Sequence, residues 1–400
     1  MQNWVISCIF AGLMKILLLG EYSRLHNSLK EGLIQLGHQV TLVGTGDDFK
    51  KFPSDIDVSS RLRKYFISNA FWLGVYKITK YNRFNKDIFH NLMKIAPDLK
   101  DFDIVQLINE DAFMIYPADT IRFYKKIFKQ NDNIFLSACG EDTHLIGYYR
   151  DKKMRYSILT PYENNNNLQS ESEYSYKYLK PAYRKLHQFV VENVQAIIPS
   201  DLDYAIPYSG VDKATPLIPN PVNLDEIPFK PLDIANKINI FFGINRYSFY
   251  KKGSDIVLKV LEKIKNDFDS EVQIVLAENL PYAKYISLYN DAHILIDQLY
   301  SYDQGFNALE AMAAGKCVIT GAETEFYEHY DLNKTVAVNS LPDENDLYEK
   351  LSDLIRNKDK IIEIGKNARW FIEKHHHYVR VAEQYLETWN KKARQKTDGQ

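Results

Sequence analysis

The sequence contains few of the residues that would assign it to a disulfide-stabilised, metal-binding or nucleic-acid-binding class. Three cysteines occur among 400 residues, and Cys8, Cys139 and Cys317 lie far apart without forming a C-x-x-C pair. Neither a disulfide framework nor a zinc site is indicated, and this cysteine usage fits a reducing cytoplasm. The 50 basic and 52 acidic residues nearly cancel, so the chain lacks the basic excess of a nucleic-acid-binding protein.

Long hydrophobic runs are also scarce. The segment 3–20 is apolar, but it has no basic residue before the apolar run and no clear small-residue cleavage site of a signal peptide. From Met14 onwards it has the pattern of a buried strand, so we expect residues 1–13 to be an extension ahead of the fold, the alternative being a membrane anchor. No other stretch reaches the roughly 20 apolar residues that a membrane-spanning helix needs.

The first turn of the chain excludes one common nucleotide-binding class. A dinucleotide-binding domain requires G-x-G-x-x-G so that a pyrophosphate can approach the helix N-terminus. The turn here is GEYSRLHNSL (20–29), in which Gly20 is the sole glycine. The G-x-x-x-x-G-K-[ST] sequence of phosphate-binding loops is absent as well.

The pattern that is present is that of a doubly wound α/β protein. A strand at 15–19 is followed by an amphipathic helix near 25–36 and a second strand at 39–44. Alternation of this kind predicts a parallel sheet. Further strands are predicted at 103–108, 133–138, 195–200, 272–277, 293–298 and 316–320. The polar stretch 151–176, which includes four consecutive asparagines, is predicted to be a surface loop.

A proline-rich segment divides the chain. Residues 216–233 contain five prolines and precede a new strand at 238–244. With 45% hydrophobic residues, the chain can bury two cores of ordinary domain size. We therefore predict domains at 14–225 and 226–385 and a C-terminal helix or tail at 386–400. Open parallel sheets bind ligands at the carboxyl ends of their strands, so the site is expected in the cleft between the two sheet edges.

Two cations follow the strand at 238–244. Arg246 stands at the strand end, and Lys252 comes six residues later, just before Gly253 and a predicted helix. Fixed cations at the mouth of a cleft suit a diphosphate, whose stabilisation as it leaves is the main electrostatic task in transferring a sugar from a nucleotide donor. Taken alone, this stretch is equally consistent with a solvated basic loop.

The segment DQGFNALEAMAAGKCVI, residues 303–319, predicts a glycine turn, a short helix and a strand. Gly305 lets the backbone pass close to a ligand, and free N–H groups at the helix start can bind phosphate oxygens. Glu310 lies about one turn further in and can point back toward the helix start, where it can accept hydrogen bonds from a ribose diol. The alternative role for Glu310 is a favourable charge on the helix dipole.

Taken together, NRYSFYKKGSD (245–255) and YDQGFNALEAMAAGKCVITG (302–321) resemble the C-terminal half of family-4 glycosyltransferases of the GT-B fold. The linker IPNPVNLDEI (218–227) and the opening MKILLLG (14–20) occur in the family's order. The resemblance implies two Rossmann-like domains that face a central cleft, with a helical C-terminal tail. It also implies retaining, metal-independent transfer from a nucleoside diphosphate sugar, with no further cofactor.

The resemblance also implies roles for individual residues. Arg246 and Lys252 would bind the donor diphosphate, and Glu310 the ribose hydroxyls. The donor-binding turns would be formed by Gly305, Phe306 and Asn307, with Gly20 from the first domain.

Two positions depart from the family pattern. The family has a glutamate eight residues before Glu310, where this chain has Tyr302, so Asp303 is expected to bind the donor sugar instead. The family often has H-G-x-D after a strand of the first domain, where this chain has CGEDTH (139–144) with Cys139 at the histidine position. The substitutes expected to contact the sugar or acceptor are Glu141, Asp142 and His144, the alternative for His144 being an ordinary loop histidine.

Residues 61–86 contain seven basic residues, seven aromatic residues and no acid. This composition suits an anionic membrane surface, and the alternative is a pair of helices with a basic outer face. The sequence therefore predicts a cytoplasmic glycosyltransferase, peripheral to the inner face of the membrane, that adds a sugar to a glycan or lipid-linked acceptor in cell-surface polysaccharide assembly.

Two other functions are compatible with the same residues. A nucleotide-sugar 2-epimerase of this fold would also hold the diphosphate and the ribose, but it would release an altered sugar nucleotide without any acceptor. A non-catalytic sugar-nucleotide-binding subunit is favoured by the departures at Tyr302 and Cys139, and it would bind the donor without turnover.

Overall fold

The computed structural model describes residues 12–46, 52–64, 66–79, 81–278 and 282–397. Within these ranges the chain forms two parallel sheets, each with buried apolar clusters on both faces. The predicted two-domain, doubly wound α/β architecture is confirmed. Most of the predicted extension at residues 1–13 lies outside the described residues.

The first sheet has the strand order β3-β2-β1-β4-β5-β6, with all pairs parallel. Residues 16–19 are fully buried, because helices cover this sheet on both sides and its strands read as unbroken apolar runs. The strands are β1 (Lys15–Leu19), β2 (Gln39–Gly44), β3 (Ile56–Asp57), β4 (Ile104–Leu107), β5 (Ile134–Ala138) and β6 (Ala196–Pro199).

The helices of the first domain alternate with these strands. They are α1 (Leu25–Gln35), α2 (Phe66–Thr79), α3 (Arg83–Ile95), α4 (Pro117–Gln130), α5 (Thr143–Arg150), α6 (Thr160–Asn164), α7 (Glu173–Tyr176), α8 (Pro181–Asn193) and α9 (Leu202–Tyr208). The prediction of a loop at 151–176 is wrong in part, since α6 and α7 fold there. Tyr162 and Tyr178 pack with α5 in a buried cluster, and this long-range packing is not visible in the local polar composition.

The second sheet has the order β11-β10-β9-β7-β8. Its strands are β7 (Ile238–Gly243), β8 (Val272–Ala277), β9 (Ile294–Ile296), β10 (Cys317–Thr320) and β11 (Val338–Asn339). The accompanying helices are α10 (Ser254–Asp267), α11 (Tyr282–Asn290), α12 (Phe306–Ala313), α13 (Thr324–His329), α14 (Glu344–Arg356), α15 (Lys358–His375) and α16 (Tyr378–Thr397).

The last helix returns to the first domain. Tyr385 and Trp389 of α16 are fully buried in the core formed by the strands of the first sheet, and Trp389 Nε1 donates a hydrogen bond to Gln106 Oε1 at 2.9 Å. Residues 378–385, which the sequence assigned to the second domain, therefore belong to the same helix as 386–397 and pack on the first domain. Periodicity predicts a helix here but cannot show which core the helix covers.

The two domains also meet beside the cleft. The carboxylate of Asp203 accepts hydrogen bonds from the backbone N–H groups of Tyr302 and Asp303, at 2.9 and 3.3 Å. In return, Asp303 accepts from the backbone N–H of Leu202 at 3.1 Å. Reciprocal bonds of this kind fix the turn before α12 against the start of α9. None of the helices within the described ranges combines the length and apolar character that crossing a bilayer requires.

Candidate active site

The loop after β7 carries the first of the two predicted cations. Arg246 forms a forked ion pair with Glu278, with Nε–Oε1 at 2.5 Å and Nη2–Oε2 at 2.7 Å. Hydrogen bonding to this guanidinium lowers the pKa of Glu278 below its usual value. The arginine side chain remains 59% exposed, so a ligand can reach it.

The second cation lies on the other side of the same strand. Lys252 Nζ is 2.7 Å from Asp297 Oδ1. Glu278 follows β8 and Asp297 follows β9, and β7 lies between these two strands in the sheet. The two ion pairs therefore stand on either side of the carboxyl end of β7.

The N-terminus of α12 completes this edge. Gly305 precedes the helix, and no side-chain hydrogen bond caps the helix start in the part of the chain that the structure describes. A Cβ atom on Gly305 would lie 3.0 Å from Asp297 Oδ2, so a larger residue would require the carboxylate to shift by a few tenths of an ångström. The next turn contributes Phe306 and Asn307, and Asn307 Nδ2 donates to Asp297 Oδ1 at 3.4 Å.

Glu310 lines a cavity of about 800 Å³ that also contains Phe306, together with Arg24 and Glu226 from the first domain and the linker. Arg24 pairs with Glu226 and, at 3.1 Å, with Glu31. Burial tends to lower the pKa of Arg24, but the charges of these carboxylates and of Glu310 raise it overall. The cavity thus has a charged end at Glu310, formed jointly by both domains.

Arg24 and the linker residue Glu226 were not predicted from the sequence. Arg24 and the preceding Ser23 have φ angles of 70° and 51°, in a left-handed region that non-glycine residues adopt at a cost and that is frequent at ligand sites. No sequence pattern marks such a conformation, which explains why Arg24 was missed.

Gly20 has a packing role at the neighbouring turn. Its φ is +85°, and a Cβ atom there would lie 2.4 Å from Ile108 Cγ2 and 2.8 Å from Ala112 O. His26 Nδ1 lies 2.7 Å from the carbonyl oxygen of Gly20, and burial lowers the pKa of His26 to about 3. Donor binding by Gly20 stays a prediction.

Of the three expected substitutes after β5, one faces the second domain. Glu141 forms an ion pair with Lys251, a 9% exposed residue next to Lys252. Lys251 was not among the residues predicted from the sequence, and its ammonium also lies 5.0 Å from the ring centre of Tyr174. Glu141 is therefore one of the acidic residues that join the two domains beside the cleft.

Asp142 and His144 are held by structural hydrogen bonds. Asp142 caps α5 by accepting from the backbone N–H of Leu145 at 2.7 Å, and it accepts from the Tyr208 hydroxyl at 2.9 Å. Burial, and secondarily the charge of Glu110, raise the pKa of Asp142 to about 7. His144 Nε2 lies 2.8 Å from the carbonyl oxygen of Pro207. These contacts favour the structural alternative for both residues.

The contacts of Asp303 favour a structural role over the predicted binding of the donor sugar, which stays a prediction. The side chain is 3% exposed, and its two oxygens accept from the backbone N–H groups of Leu202 and Gln304, at 3.1 and 2.8 Å. Tyr302 is buried as well, and its hydroxyl accepts from the backbone N–H of Arg155 at 2.9 Å. Proximity in sequence to the family's glutamate position suggested a sugar ligand, but the chain directs Asp303 into the domain interface.

Residues 248–387 match a family model described as glycosyl transferase-like. The matched region runs from the β7–α10 loop to α16 and includes Lys252, Gly305 and Glu310, whereas Arg246 lies just before it. No curated protein matches the chain in sequence.

Solved structures match almost the whole chain. Sucrose-phosphate synthase from Thermosynechococcus elongatus is 14% identical with a TM-score of 0.60, over 94% of this chain and 98% of that one. Anabaena HepE, solved with UDP and glucose, is 11% identical with a TM-score of 0.57, over 94% and 100%. S. aureus TarM, solved as a mutant with UDP among its ligands, is 11% identical with a TM-score of 0.56, over 94% and 100%.

These structural similarities show that the chain has the GT-B fold. Within that class, the resemblance to glycosyltransferases is confirmed by the family model over the second domain.

Proposed function

We propose that the chain transfers a sugar from a nucleoside diphosphate sugar to a glycan or lipid-linked acceptor, with retention at the anomeric carbon and without a bound metal ion. The proposed setting is cell-surface polysaccharide assembly at the inner face of the membrane. One observation carries the proposal: Arg246, Lys252 and the uncapped start of α12 lie together at the carboxyl edge of the second sheet. Glu310, one turn into α12, lines a cavity whose other walls include the amino-terminal parts of β7 and β8. The family-model match supports the transferase class.

This arrangement suits the chemistry of a departing diphosphate. Two cations beside β7 and the partial positive charge at the start of α12 would stabilise the negative charge that develops as the sugar–phosphate bond breaks. Glu310, one turn into the helix, would accept hydrogen bonds from the ribose, and the cavity next to it has room for the nucleoside. HepE and TarM were solved with UDP bound, which supports a nucleoside diphosphate as the ligand.

The donor site is tested by calorimetry of the purified protein with UDP, GDP, ADP and TDP. We expect saturable binding of one nucleotide, and we expect Lys252→Ala or Arg246→Ala to weaken it by about ten- to a hundredfold each, as for hydrogen bonds to charged groups. Glu310→Ala should strongly weaken binding of that nucleotide, because it removes the hydrogen bonds to the ribose. Lys259→Ala is the matched control, because Lys259 forms an exposed ion pair on α10 at 2.9 Å from Glu344. Unchanged affinity in a folded Arg246→Ala/Lys252→Ala variant contradicts the proposal.

Turnover distinguishes the proposal from its alternatives. With the sugar conjugate of the nucleotide that binds, a transferase releases the nucleoside diphosphate and joins the sugar to an added acceptor. NMR of the product gives the anomeric configuration, and activity in the presence of a chelator tests metal independence. An altered sugar nucleotide formed without acceptor would instead identify an epimerase, and binding without any turnover would identify a non-catalytic subunit.

Helix α2 supports a membrane location for the acceptor. The helix has 14 residues, and Phe71 and Ile78 are 60% and 86% exposed, with Leu73 and Tyr76 also exposed. At 100° per residue Phe71 and Ile78 lie on one side of the helix and Leu73 and Tyr76 on the opposite side, so packing on a single neighbouring element could not cover all four. The surrounding segment 61–86 has basic residues at both ends and no acid, which complements an anionic lipid surface.

Vesicle sedimentation tests this location. The protein should bind vesicles that contain anionic phospholipid, bind neutral phosphatidylcholine vesicles far less, and lose binding as salt rises. Phe71→Asp/Ile78→Asp should abolish binding, whereas Leu341→Asp, at another exposed leucine, should not. A stable dimer in solution that Phe71→Asp/Ile78→Asp dissociates, together with absent lipid binding, would assign the helix to self-association instead.

A further inference from the structure

Asp297 lies directly beneath the start of α12. It follows β9 and is 3% exposed. One carboxylate oxygen, Oδ1, pairs with Lys252 Nζ at 2.7 Å and accepts from Asn307 Nδ2 at 3.4 Å. The other oxygen, Oδ2, is buried and has no hydrogen-bond partner among the described residues. A buried, unpartnered carboxylate oxygen is unfavourable, so this position requires an explanation.

The glycine before α12 permits this arrangement. A Cβ atom on Gly305 would stand 3.0 Å from Asp297 Oδ2, so a larger residue would push the carboxylate away from the helix start. A helix N-terminus attracts negative charge, and this one has no side-chain cap within the described part of the chain. In the structure, the carboxylate of Asp297 therefore holds the position beside Lys252 and the helix start where an anionic ligand would bind.

We propose that Asp297 is a resident counter-charge of the donor phosphate site. Its carboxylate holds Lys252 beside the start of α12 in the free protein, and it competes with the donor diphosphate for both. The inference rests on the proposed function and concerns affinity and release. The nucleoside diphosphate binds more weakly than Lys252 and the helix end alone would allow, and it leaves faster after transfer. Asp297 acts through Lys252 and is a positioning residue.

A purely structural role for Asp297 makes a different prediction. The substitution Asp297→Asn keeps the shape and leaves a carbonyl oxygen that accepts from Lys252, but it removes the negative charge. Competition predicts tighter binding of a diphosphate, by about tenfold for the loss of one nearby like charge. A role limited to holding Lys252 in place predicts unchanged or weaker binding. Asp297→Ser is a second neutral variant, should the asparagine fail to fold.

The experiment measures binding of inorganic pyrophosphate, and of the nucleoside diphosphate that binds, to the full chain. Wild type, Asp297→Asn, Lys252→Ala and the double variant form a cycle, studied by calorimetry and stopped-flow release. Asp297→Asn should tighten diphosphate binding about tenfold when Lys252 is present. In the Lys252→Ala background it should tighten binding only about threefold, because the helix start is then the one remaining group for which Asp297 and the ligand compete. In steady-state transfer, both KM and kcat should fall as release slows. Asp353→Asn, which removes an exposed partner of Lys360 at 2.6 Å, should change nothing.

The outcomes separate this inference from the proposed function. If wild type and variants bind neither pyrophosphate nor any nucleoside diphosphate, both fall. If wild type binds and folded Asp297→Asn and Asp297→Ser bind no tighter, only the counter-charge role is overturned. A Mg²⁺ requirement in wild type that Asp297→Asn removes would also overturn it, because Asp297 would then hold a cation with the ligand.

Discussion

The carboxyl edges of the two sheets use polar side chains in opposite ways. At the first sheet, Glu110 is buried and accepts from the backbone N–H and hydroxyl of Thr143, at 3.0 and 2.9 Å, and from His187 at 2.5 Å. Asp142 caps α5 in the same buried network. At the second sheet, Arg246 and Lys252 are partly exposed and are held by side-chain carboxylates, of which Glu278 is accessible and Asp297 is buried.

This difference separates residues of the fold from residues of the site. A buried group that satisfies backbone N–H groups cannot leave without stranding those donors. A partly exposed cation that is paired only with a side-chain carboxylate can instead exchange that anion for an anionic ligand, because no backbone group loses its partner. Both edges are rich in charge, but Arg246 and Lys252 at the second sheet are cations that a ligand can take over without stranding a buried backbone group.

The largest expected effect is the loss of nucleotide binding when both exchangeable cations are removed. Arg246→Ala/Lys252→Ala should weaken nucleoside diphosphate binding by about 10²- to 10⁴-fold, if the two single effects add. The melting temperature should fall, because removal of Lys252 leaves the buried carboxylate of Asp297 without its cation, so affinity is measured at a temperature where the variant is folded. Calorimetry and thermal denaturation of the same samples measure the two quantities.

A matched double variant controls for the loss of two positive charges. Lys259 and Lys263 on α10 both pair with Glu344, at 2.9 and 3.3 Å, on the exposed surface. Lys259→Ala/Lys263→Ala should leave the affinity unchanged. Equal losses in the two double variants would mean that net charge alone, without a site at β7, governs binding.

The second effect is a loss of stability at the first edge. Asp142→Ala removes the cap of α5 and strands the Tyr208 hydroxyl, so the free energy of unfolding should fall by about 2–3 kcal/mol. Nucleotide affinity of the folded fraction should stay as in wild type. Urea denaturation measures the stability and calorimetry measures the affinity. A variant of normal stability with impaired nucleotide binding would instead place Asp142 in the binding site.

The third effect concerns pH at the same residue. Burial raises the pKa of Asp142 to about 7, against about 3.9 in an unfolded chain. Between about pH 4 and pH 7 the folded chain therefore holds a proton that unfolding releases, so this group makes stability fall as pH rises through that window. Asp142→Asn stays neutral, caps Leu145 through its oxygen and can donate to the Tyr208 hydroxyl oxygen.

The asparagine variant should therefore gain stability over wild type by about 2–3 kcal/mol on going from pH 5 to pH 8. Urea denaturation at the two pH values measures this gain. The same stability difference at pH 5 and pH 8 would show that Asp142 does not take up a proton on folding.

Much of the second edge was predictable because its residues follow one another along the chain. The strand at 238–244, the six-residue spacing from Arg246 to Lys252, and the glycine before the helix of Glu310 are all local patterns. The structure has these elements with boundary shifts of one or two residues.

Other features depend on contacts that sequence patterns do not record. Asp297 ends an apolar strand and has no distinguishing neighbour in sequence, yet it meets Lys252 because β9 lies beside β7. Asp303 looked available for a sugar only because the cross-domain bond from Leu202 was unknown. The fold class was thus accessible from periodicity and motifs, whereas the partner of each charge required the tertiary structure.

The smallest expected effect distinguishes the two carboxylates of the second edge from each other. Glu278 pairs with Arg246 as Asp297 pairs with Lys252. The Glu278–Arg246 pair, however, is exposed to solvent, so water and salt screen its charges. Glu278→Gln should therefore tighten nucleoside diphosphate binding by only about twofold in low salt, with no gain in high salt. Calorimetry at two salt concentrations gives both values. A tenfold, salt-insensitive gain would mean that the exposed carboxylate competes as strongly as the buried one, and burial would no longer explain how the site sets its affinity.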